Sequence, residues 1–76
     1  MLAITVNSTT LSTVAYDAAA QLLQLVFRNG AAYCYFGVPS DVYQDLMSAD
    51  SMGAYFTRNI RPRFPYQKLP EGALHS

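Results

Sequence analysis

Four cationic side chains gather near the end of the sequence and are the first candidates for chemistry. The chain contains five Lys or Arg residues, and four of them fall within eleven positions, interleaved with Phe64 and Tyr66. Cationic groups bind phosphates and aromatic rings stack on bases. The alternative is a solvated helix end, where the helix dipole also favours cations. The segment predicts a nucleic-acid contact made by Arg58, Arg61, Arg63, Lys68 and Tyr66.

The Tyr33-Cys34-Tyr35 triplet is the second candidate. On an open sheet the two tyrosine rings would offer stacking platforms for bases. In a core they would instead be structural, with their hydroxyls reaching the edge for a hydrogen bond. The register of the strand that carries them decides between these two interpretations.

The residue types needed for catalysis do not form a set in this sequence. His75 is the sole histidine and stands one residue before the last position, where it is not held against a nucleophile. Cys34 is better interpreted as a small buried hydrophobe, and Asp41 and Asp45 as a solvated helix face. One Cys and one His are too few for a structural zinc site, and we find no cofactor motif. We predict a protein that is not an enzyme.

Composition points to one small globular domain. The chain has 76 residues, of which 51% are hydrophobic and 13% aromatic, and its formal net charge is zero. A neutral chain with a basic end is weaker evidence for nucleic acid than a uniformly basic one. The sequence has neither a signal-peptide pattern nor an apolar run of about 18 residues, so we predict a cytoplasmic protein with no membrane partner.

A β-hairpin is the strongest local signal. Two apolar runs, 22–27 and 31–36, flank Arg28-Asn29-Gly30, and Asn-Gly between such runs favours a tight turn because both residues tolerate positive φ. A two-residue turn would pair Val26 with Tyr33. A three-residue loop with Gly30 in the left-handed region would pair Leu25 with Tyr33.

The two registers send the tyrosines to opposite faces of the sheet. We favour the three-residue loop, which gives Gly30 and Phe27 structural roles and makes Tyr33 and Tyr35 part of the core. Both faces are apolar, however, so periodicity alone leaves the choice open. The face so formed comprises Leu23, Leu25, Phe27, Tyr33 and Tyr35.

The remaining elements follow from standard signals. Residues 3–6 and 11–17 are predicted to be strands, and residues 40–49 an amphipathic helix that Ser40 caps. A second helix is predicted to begin after Asp50 or Ser51 and to end at Pro62. Residues 63–68 are predicted to be an extended or edge segment.

The ordered set of motifs resembles the KTSC domain, a small module named from the C-terminal region of some lysyl-tRNA synthetases and also found as a free-standing bacterial or phage protein. Thr9 stands where the family usually has a second serine, which keeps the hydroxyl. The matching residues are Ser8-Thr9, Tyr16-Asp17, Leu23, Leu25, Phe27, Gly30, Tyr33-x-Tyr35, Val38-Pro39, Tyr43, Leu46, Ala49-x-Ser51-x-Gly53, Tyr55-Phe56 and Ile60-Arg61.

The resemblance implies a β-meander followed by helices and no established activity, although RNA binding has been suggested for the family. We therefore expect an α+β fold in which a three- or four-stranded antiparallel meander precedes two short helices. Residues 1–69 are predicted to be one domain and residues 70–76 a flexible tail. The predicted function is a non-catalytic module that binds RNA or single-stranded nucleic acid. The alternative is a protein–protein interaction module or a small homo-oligomer.

Overall fold

The computed structural model describes residues 2–70 and has an α+β fold. One antiparallel sheet has the strand order β1-β2-β3-β4-β5, so consecutive strands are neighbours throughout. The α+β class and the meander are confirmed. The sheet has one strand more than the predicted maximum because β5 returns after the helices and pairs with β4. The elements are β1 Ala3–Thr5, β2 Leu11–Asp17, β3 Leu22–Phe27, β4 Ala32–Phe36, α1 Ser40–Ser48, α2 Met52–Tyr55, a π-helical turn at Phe56–Ile60, and β5 Tyr66–Leu69.

The β3–β4 hairpin has the three-residue loop that the sequence favoured. Leu25 pairs with Tyr33, and the Phe27 amide donates to the Ala31 carbonyl at 2.8 Å. Gly30 has a φ of +92°, which a residue with a side chain rarely adopts. The Asn29 side-chain oxygen also accepts the Ala31 amide at 3.0 Å, which stabilises the loop. The register is thus fixed, and both tyrosines point to the side of the sheet that the helices cover.

The main hydrophobic cluster lies on that helical side of the sheet. Tyr16 of β2 stacks on Tyr43 of α1, with ring centroids 4.5 Å apart, and its hydroxyl donates to the Val38 carbonyl at 2.6 Å. A bulge in β2 shifts the register between Leu11 and Thr13, which returns Leu11 to the core. The buried cluster is Val6, Leu11, Val14, Leu23, Leu25, Tyr35, Val38, Leu46, Phe56 and Ile60.

The two helices begin in different ways. Ser51 caps α2 as predicted, because its hydroxyl accepts the Ala54 amide at 3.2 Å. The predicted Ser40 cap is wrong, since Pro39 occupies the N-cap position and makes no side-chain cap bond. Ser40 is already the first helical residue, and Pro39 before it has the extended backbone that is usual at an N-cap.

The chain does not continue α2 as an α-helix. The Arg61 amide donates to the Phe56 carbonyl at 2.9 Å, which is the i to i−5 pattern of a π-helix. Pro62 follows at once, as the sequence predicted for the end of the helix. None of the helices within residues 2–70 is long and apolar enough to cross a membrane. The predicted tail 70–76 lies, except for Pro70, outside the described residues.

Candidate functional site

Five aromatic rings form a closed circuit of contacts between β3, β4, β5 and the π-turn. Each ring contacts two others, with centroid separations from 5.3 to 5.6 Å. Four of the five contacts are edge-to-face, with interplanar angles of 69° to 86°, and the fifth is tilted at 34°. Edge-to-face packing places the positive edge of one ring on the negative face of another, which stabilises the cluster. In order around the circuit, the rings are Phe27, Tyr33, Tyr66, Tyr35 and Phe56.

These rings are the floor and wall of an open cleft of about 340 Å³, here called the aromatic cleft. Phe56 and Tyr35 are buried beneath it, whereas Tyr66 is 56% exposed at its rim. The volume is at the lower end of the range for small-molecule sites. The polar and charged residues that complete the lining are Thr10, Asn29, Thr57 and Arg61.

The π-turn brings Arg61 to the aromatic cleft. In an α-helix, residues five apart point in different directions, because one turn takes 3.6 residues. The wider turn closed by the Arg61 amide and the Phe56 carbonyl carries both side chains to the same lining. Phe56 faces the buried rings while the Arg61 side chain is exposed. The cleft therefore combines an apolar floor with one cation.

Strand β5 supplies the other rim of the cleft. Tyr66 lies opposite Tyr35 in the β4–β5 pairing, and Lys68 lies opposite Tyr33. Alternation along the strand puts Tyr66 and Lys68 on the same face of the sheet, the helical one. The fifth strand is thus the element that joins the basic segment to the tyrosine pair.

The surroundings of the Tyr35 hydroxyl raise its pKa. Burial raises the pKa of Tyr35, the neighbouring phenol of Tyr66 raises it further, and the Arg61 guanidinium opposes these effects. Tyr33 also raises this pKa. Three phenols and a guanidinium therefore meet at one place, which offers hydrogen-bond donors and a positive charge to an anionic or polar ligand.

A second, shallower cleft adjoins the first at the β3–β4 turn. It has a volume of about 680 Å³ and is lined in part by Lys68, Gln67 and Leu69 of β5. Asn29 and Ala31 line both clefts, so the two are contiguous. Arg61 and Lys68 consequently stand along one continuous concave path.

The two remaining cations of the predicted set lie elsewhere. Arg58 and Arg63 are exposed and line neither of these clefts. The Arg63 guanidinium lies 5.7 Å from the centre of the Phe64 ring, a cation–π distance. The structure therefore brings Arg61, Lys68 and Tyr66 together with the tyrosine pair, and separates Arg58 and Arg63 from them.

Comparison with known families covers most of the chain up to residue 64, which includes Arg61 and the tyrosine pair but not Tyr66 and Lys68. The sequence profile of the KTSC domain matches residues 7–64. The chain belongs to the KTSC domain family. This confirms the resemblance seen in the ordered motifs of the sequence.

Relatives of the KTSC domain occur both as small proteins and as part of a larger enzyme. The chain is 41% identical over 59 residues to a protein of Tsukamurella paurometabola, covering 78% of this chain and 88% of that one. It is 39% identical over 54 residues to a lysine–tRNA ligase of Trichormus variabilis, covering 71% of this chain but only 10% of the ligase. A crystal structure of a KTSC domain protein from Yersinia pestis superposes with a TM-score of 0.87 at 32% identity, covering 91% of this chain and 97% of that chain.

Much of the KTSC pattern found in the sequence surrounds the aromatic cleft. Phe27, the Tyr33-x-Tyr35 pair, Phe56 and Arg61 all line it. The sequence predicted that Phe27, Tyr33 and Tyr35 belong to the core and that Arg61 belongs to a separate basic segment. It did not anticipate that Thr10, Asn29 and Thr57 would join them, since those residues are distant along the chain and carry no shared motif.

The residues considered for catalysis stand apart from the cleft in this KTSC domain. Cys34 is buried on the opposite side of β4, and burial raises the pKa of its thiol while a hydrogen bond with Gln24 lowers it. Asp41 and Asp45 are exposed on α1. Within residues 2–70 no group of three or more His, Cys, Asp or Glu side chains is placed to hold a metal ion. His75 lies outside the described residues.

Proposed function

We propose that this KTSC domain binds single-stranded RNA at the aromatic cleft, with one unpaired base against Tyr66 and a phosphate on Arg61. The observation that carries the proposal is the meeting of an exposed aromatic ring and an exposed guanidinium at one concave site. A base supplies a flat ring for stacking and its phosphate supplies an anion. Lys68, in the adjoining cleft, then contacts a neighbouring phosphate.

The geometry of the rings supports one base rather than a stack of several. In an edge-to-face contact, the edge of one ring packs against the face of another. The rings of the cluster therefore do not form a row of parallel platforms on which several bases could stack. Tyr66 alone of the five is largely exposed. Arg58 and Arg63, outside the clefts, contribute general attraction to the phosphate backbone.

RNA is the favoured nucleic acid because a similar segment, 37–41% identical over 54 residues, occurs in lysine–tRNA ligases, proteins whose name specifies an RNA partner. Unpaired bases in loops and at ends are also the usual targets of sequence-specific RNA recognition. The domain in this proposal spans residues 1–69. It acts by binding and not by catalysis.

The test is a titration of a short fluorescent single-stranded RNA at low and moderate salt. Tyr66→Ala is expected to weaken binding by roughly 5- to 150-fold, since stacking on one base is worth about 1–3 kcal/mol. Arg61→Ala is expected to lower the steepness of the salt dependence by about 0.7, the contribution of one phosphate on a single strand. A parallel titration with DNA of the same sequence compares the two nucleic acids.

Two matched variants serve as controls. Phe36→Ala removes an exposed aromatic ring from the other side of the sheet, and Arg58→Ala removes an exposed arginine outside the clefts. Each should weaken binding less than its partner within the cleft. The proposal fails when RNA does not bind at low salt, or when the controls weaken binding as much as Tyr66→Ala and Arg61→Ala do.

The second candidate function, protein interaction, is favoured by the side of the sheet opposite the helices. Phe36 is 36% exposed there, and Leu22 opposite it and Val26 farther along β3 are partly exposed. The core cluster contains none of these residues. A partner on that surface would be recognised by apolar contacts, so its binding would vary little with salt.

A further inference from the structure

The two edges of the sheet are not equivalent. Edge strands expose unpaired amides and carbonyls, and proteins commonly protect them with lysine, with proline or with bulges. β5 carries Lys68 and is flanked by Pro65 and Pro70. β1 is only three residues long, but it carries no lysine, no proline and no bulge, and residues 2–8 contain no charged side chain.

The β1 edge also exposes apolar side chains. Leu2 is 84% exposed and Ile4 is 46% exposed, which makes them two of the four large hydrophobic residues on the surface of residues 2–70. Ile4 pairs with buried Val14 of β2, so it points to the helical side of the sheet. There it lines a groove of about 440 Å³ together with Met47 and Met52, whose flexible side chains adapt to irregular apolar surfaces.

The backbone of β1 has a defined set of outward groups. The Val6 amide donates to the Ser12 carbonyl at 3.0 Å, and hydrogen-bonded pairs alternate along an antiparallel ladder. Ile4 therefore exchanges its hydrogen bonds with Val14, inside the sheet. The amides and carbonyls of Ala3 and Thr5 point away from β2, towards the free edge.

We propose that β1 pairs antiparallel with β1 of a second copy of this chain, about a two-fold axis at Ile4. In this register Ala3 of each copy exchanges two backbone hydrogen bonds with Thr5 of the other. Leu2 lies opposite Val6 of the second copy, and the two Ile4 side chains meet at the axis. A closed two-fold pair leaves no β1 edge free to recruit further chains.

The absence of charge on β1 favours a second copy of this chain as its pairing partner. An uncharged strand can face itself without like-charge repulsion, which an edge carrying Lys68 cannot do at the same position. The same short strand supplies both the outward backbone groups and the exposed apolar residues. The pairing joins two five-stranded sheets into one of ten strands, with all the helices on one side.

The first test measures mass against concentration by sedimentation. The wild-type protein is expected to shift from monomer to dimer as concentration rises. Ile4→Lys should abolish the dimer by placing two like charges across the axis. Thr5→Pro should also abolish it by removing an outward amide, without breaking a bond to β2. Circular dichroism and thermal melting establish that both variants fold, and Gln67→Lys, which adds the same charge on the other edge, should dimerise normally.

The second test determines the register of the β1–β1 pairing by disulfide cross-linking. Residues in a non-hydrogen-bonded antiparallel pair have Cα atoms about 4.5 Å apart, within disulfide reach. With Cys34→Ala as background and oxidised glutathione as oxidant, Ile4→Cys should form linked dimers readily. Leu2→Cys should do so much more slowly, because Leu2 faces Val6 and not Leu2 of the second copy.

Three outcomes would overturn the proposal. One is a monomer at every attainable concentration. Another is a dimer that persists in both Ile4→Lys and Thr5→Pro, which would assign self-association to another surface, such as the open side of the sheet. The third is equal cross-linking at Ile4→Cys and Leu2→Cys, which indicates collision without a fixed register. None of these results depends on RNA binding.

Discussion

The exposure of a residue in this domain depends on its neighbours in the fold more than on its residue type. Tyr33 and Tyr35 are both tyrosines of β4 two positions apart, yet Tyr35 is 3% exposed while Tyr33 is only partly buried. Tyr35 contacts Phe56 from the π-turn, whereas Tyr33 contacts Phe27 at the hairpin end. The sequence predicted a structural role for both, and Tyr35 is the one that is fully buried. Tyr33 also lines the cleft because of how distant segments of the chain pack around it, and the spacing of residues in the sequence could not predict that packing.

Gly53 provides a prediction at the residue scale. A Cβ atom at this position would lie 2.5 Å from Thr10 Oγ1 and 2.9 Å from Thr10 Cβ, so α2 approaches the β1–β2 connection too closely for a side chain. Gly53→Ala is expected to lower the free energy of unfolding by about 1–3 kcal/mol, the usual cost of overpacking. Urea unfolding, monitored by circular dichroism, measures the change.

A double variant separates this contact from a general loss of glycine flexibility. Adding Thr10→Gly should recover part of the loss at Gly53→Ala, because the clashing atoms are removed. Gly37→Ala is the comparison, since Gly37 has a φ of +72° but a Cβ atom there would meet nothing within 4 Å. Rescue of Gly37→Ala by the same change would contradict the explanation.

At the scale of elements, local signals predicted some features well and others poorly. Asn29-Gly30 between two apolar runs was sufficient to predict the hairpin, because turn geometry acts over a few residues. The sequence favoured the observed register but left the choice open, because both faces of the two strands are apolar. The π-turn was not predictable, since Phe56 and Ile60 have the i, i+4 spacing of an ordinary helix. Strand β5 was predicted as an extended or edge segment, and it is the edge strand next to β4. Its pairing partner was not predicted, because that pairing depends on the distant strand β4.

The two helix starts give a matched pair of substitutions at the element scale. Ser51→Ala should lower the free energy of unfolding by about 0.5–2 kcal/mol, because it removes the side-chain acceptor of the Ala54 amide. Ser40→Ala should change it much less, because Ser40 is the first residue of α1 and not its cap. Equal losses in thermal or urea unfolding would show that the capping assignment is wrong.

For the whole molecule, the titration of buried groups predicts sensitivity to alkali. Burial is the main cause that raises the pKa of Cys34 above its ordinary 9.0, and of Tyr16, Tyr35 and Tyr55 above 10.0. The native state therefore retains these protons at a pH where the unfolded chain has lost them. Stability is fully present below about pH 9 and falls as the pH rises through 9 to 10 and beyond.

Thermal melting between pH 7 and pH 11 checks this expectation. The midpoint should fall above pH 9, and the fall should be smaller in Tyr35→Phe, which has no phenol to ionise. A midpoint that stays constant up to pH 11, or an unchanged slope in Tyr35→Phe, would contradict the prediction.

The strand order has a consequence for how tightly the domain could hold a long ligand. The aromatic cleft lies at the β3–β5 end of the sheet and the free β1 edge lies at the other. In a β1-paired dimer the two β4 strands would be seven strand spacings apart, roughly 30 Å. One RNA with two suitably spaced unpaired segments could occupy both clefts, so that the second contact forms at a high effective concentration. The avidity gained in this way would let two individually weak sites select RNAs by the distance between their unpaired bases.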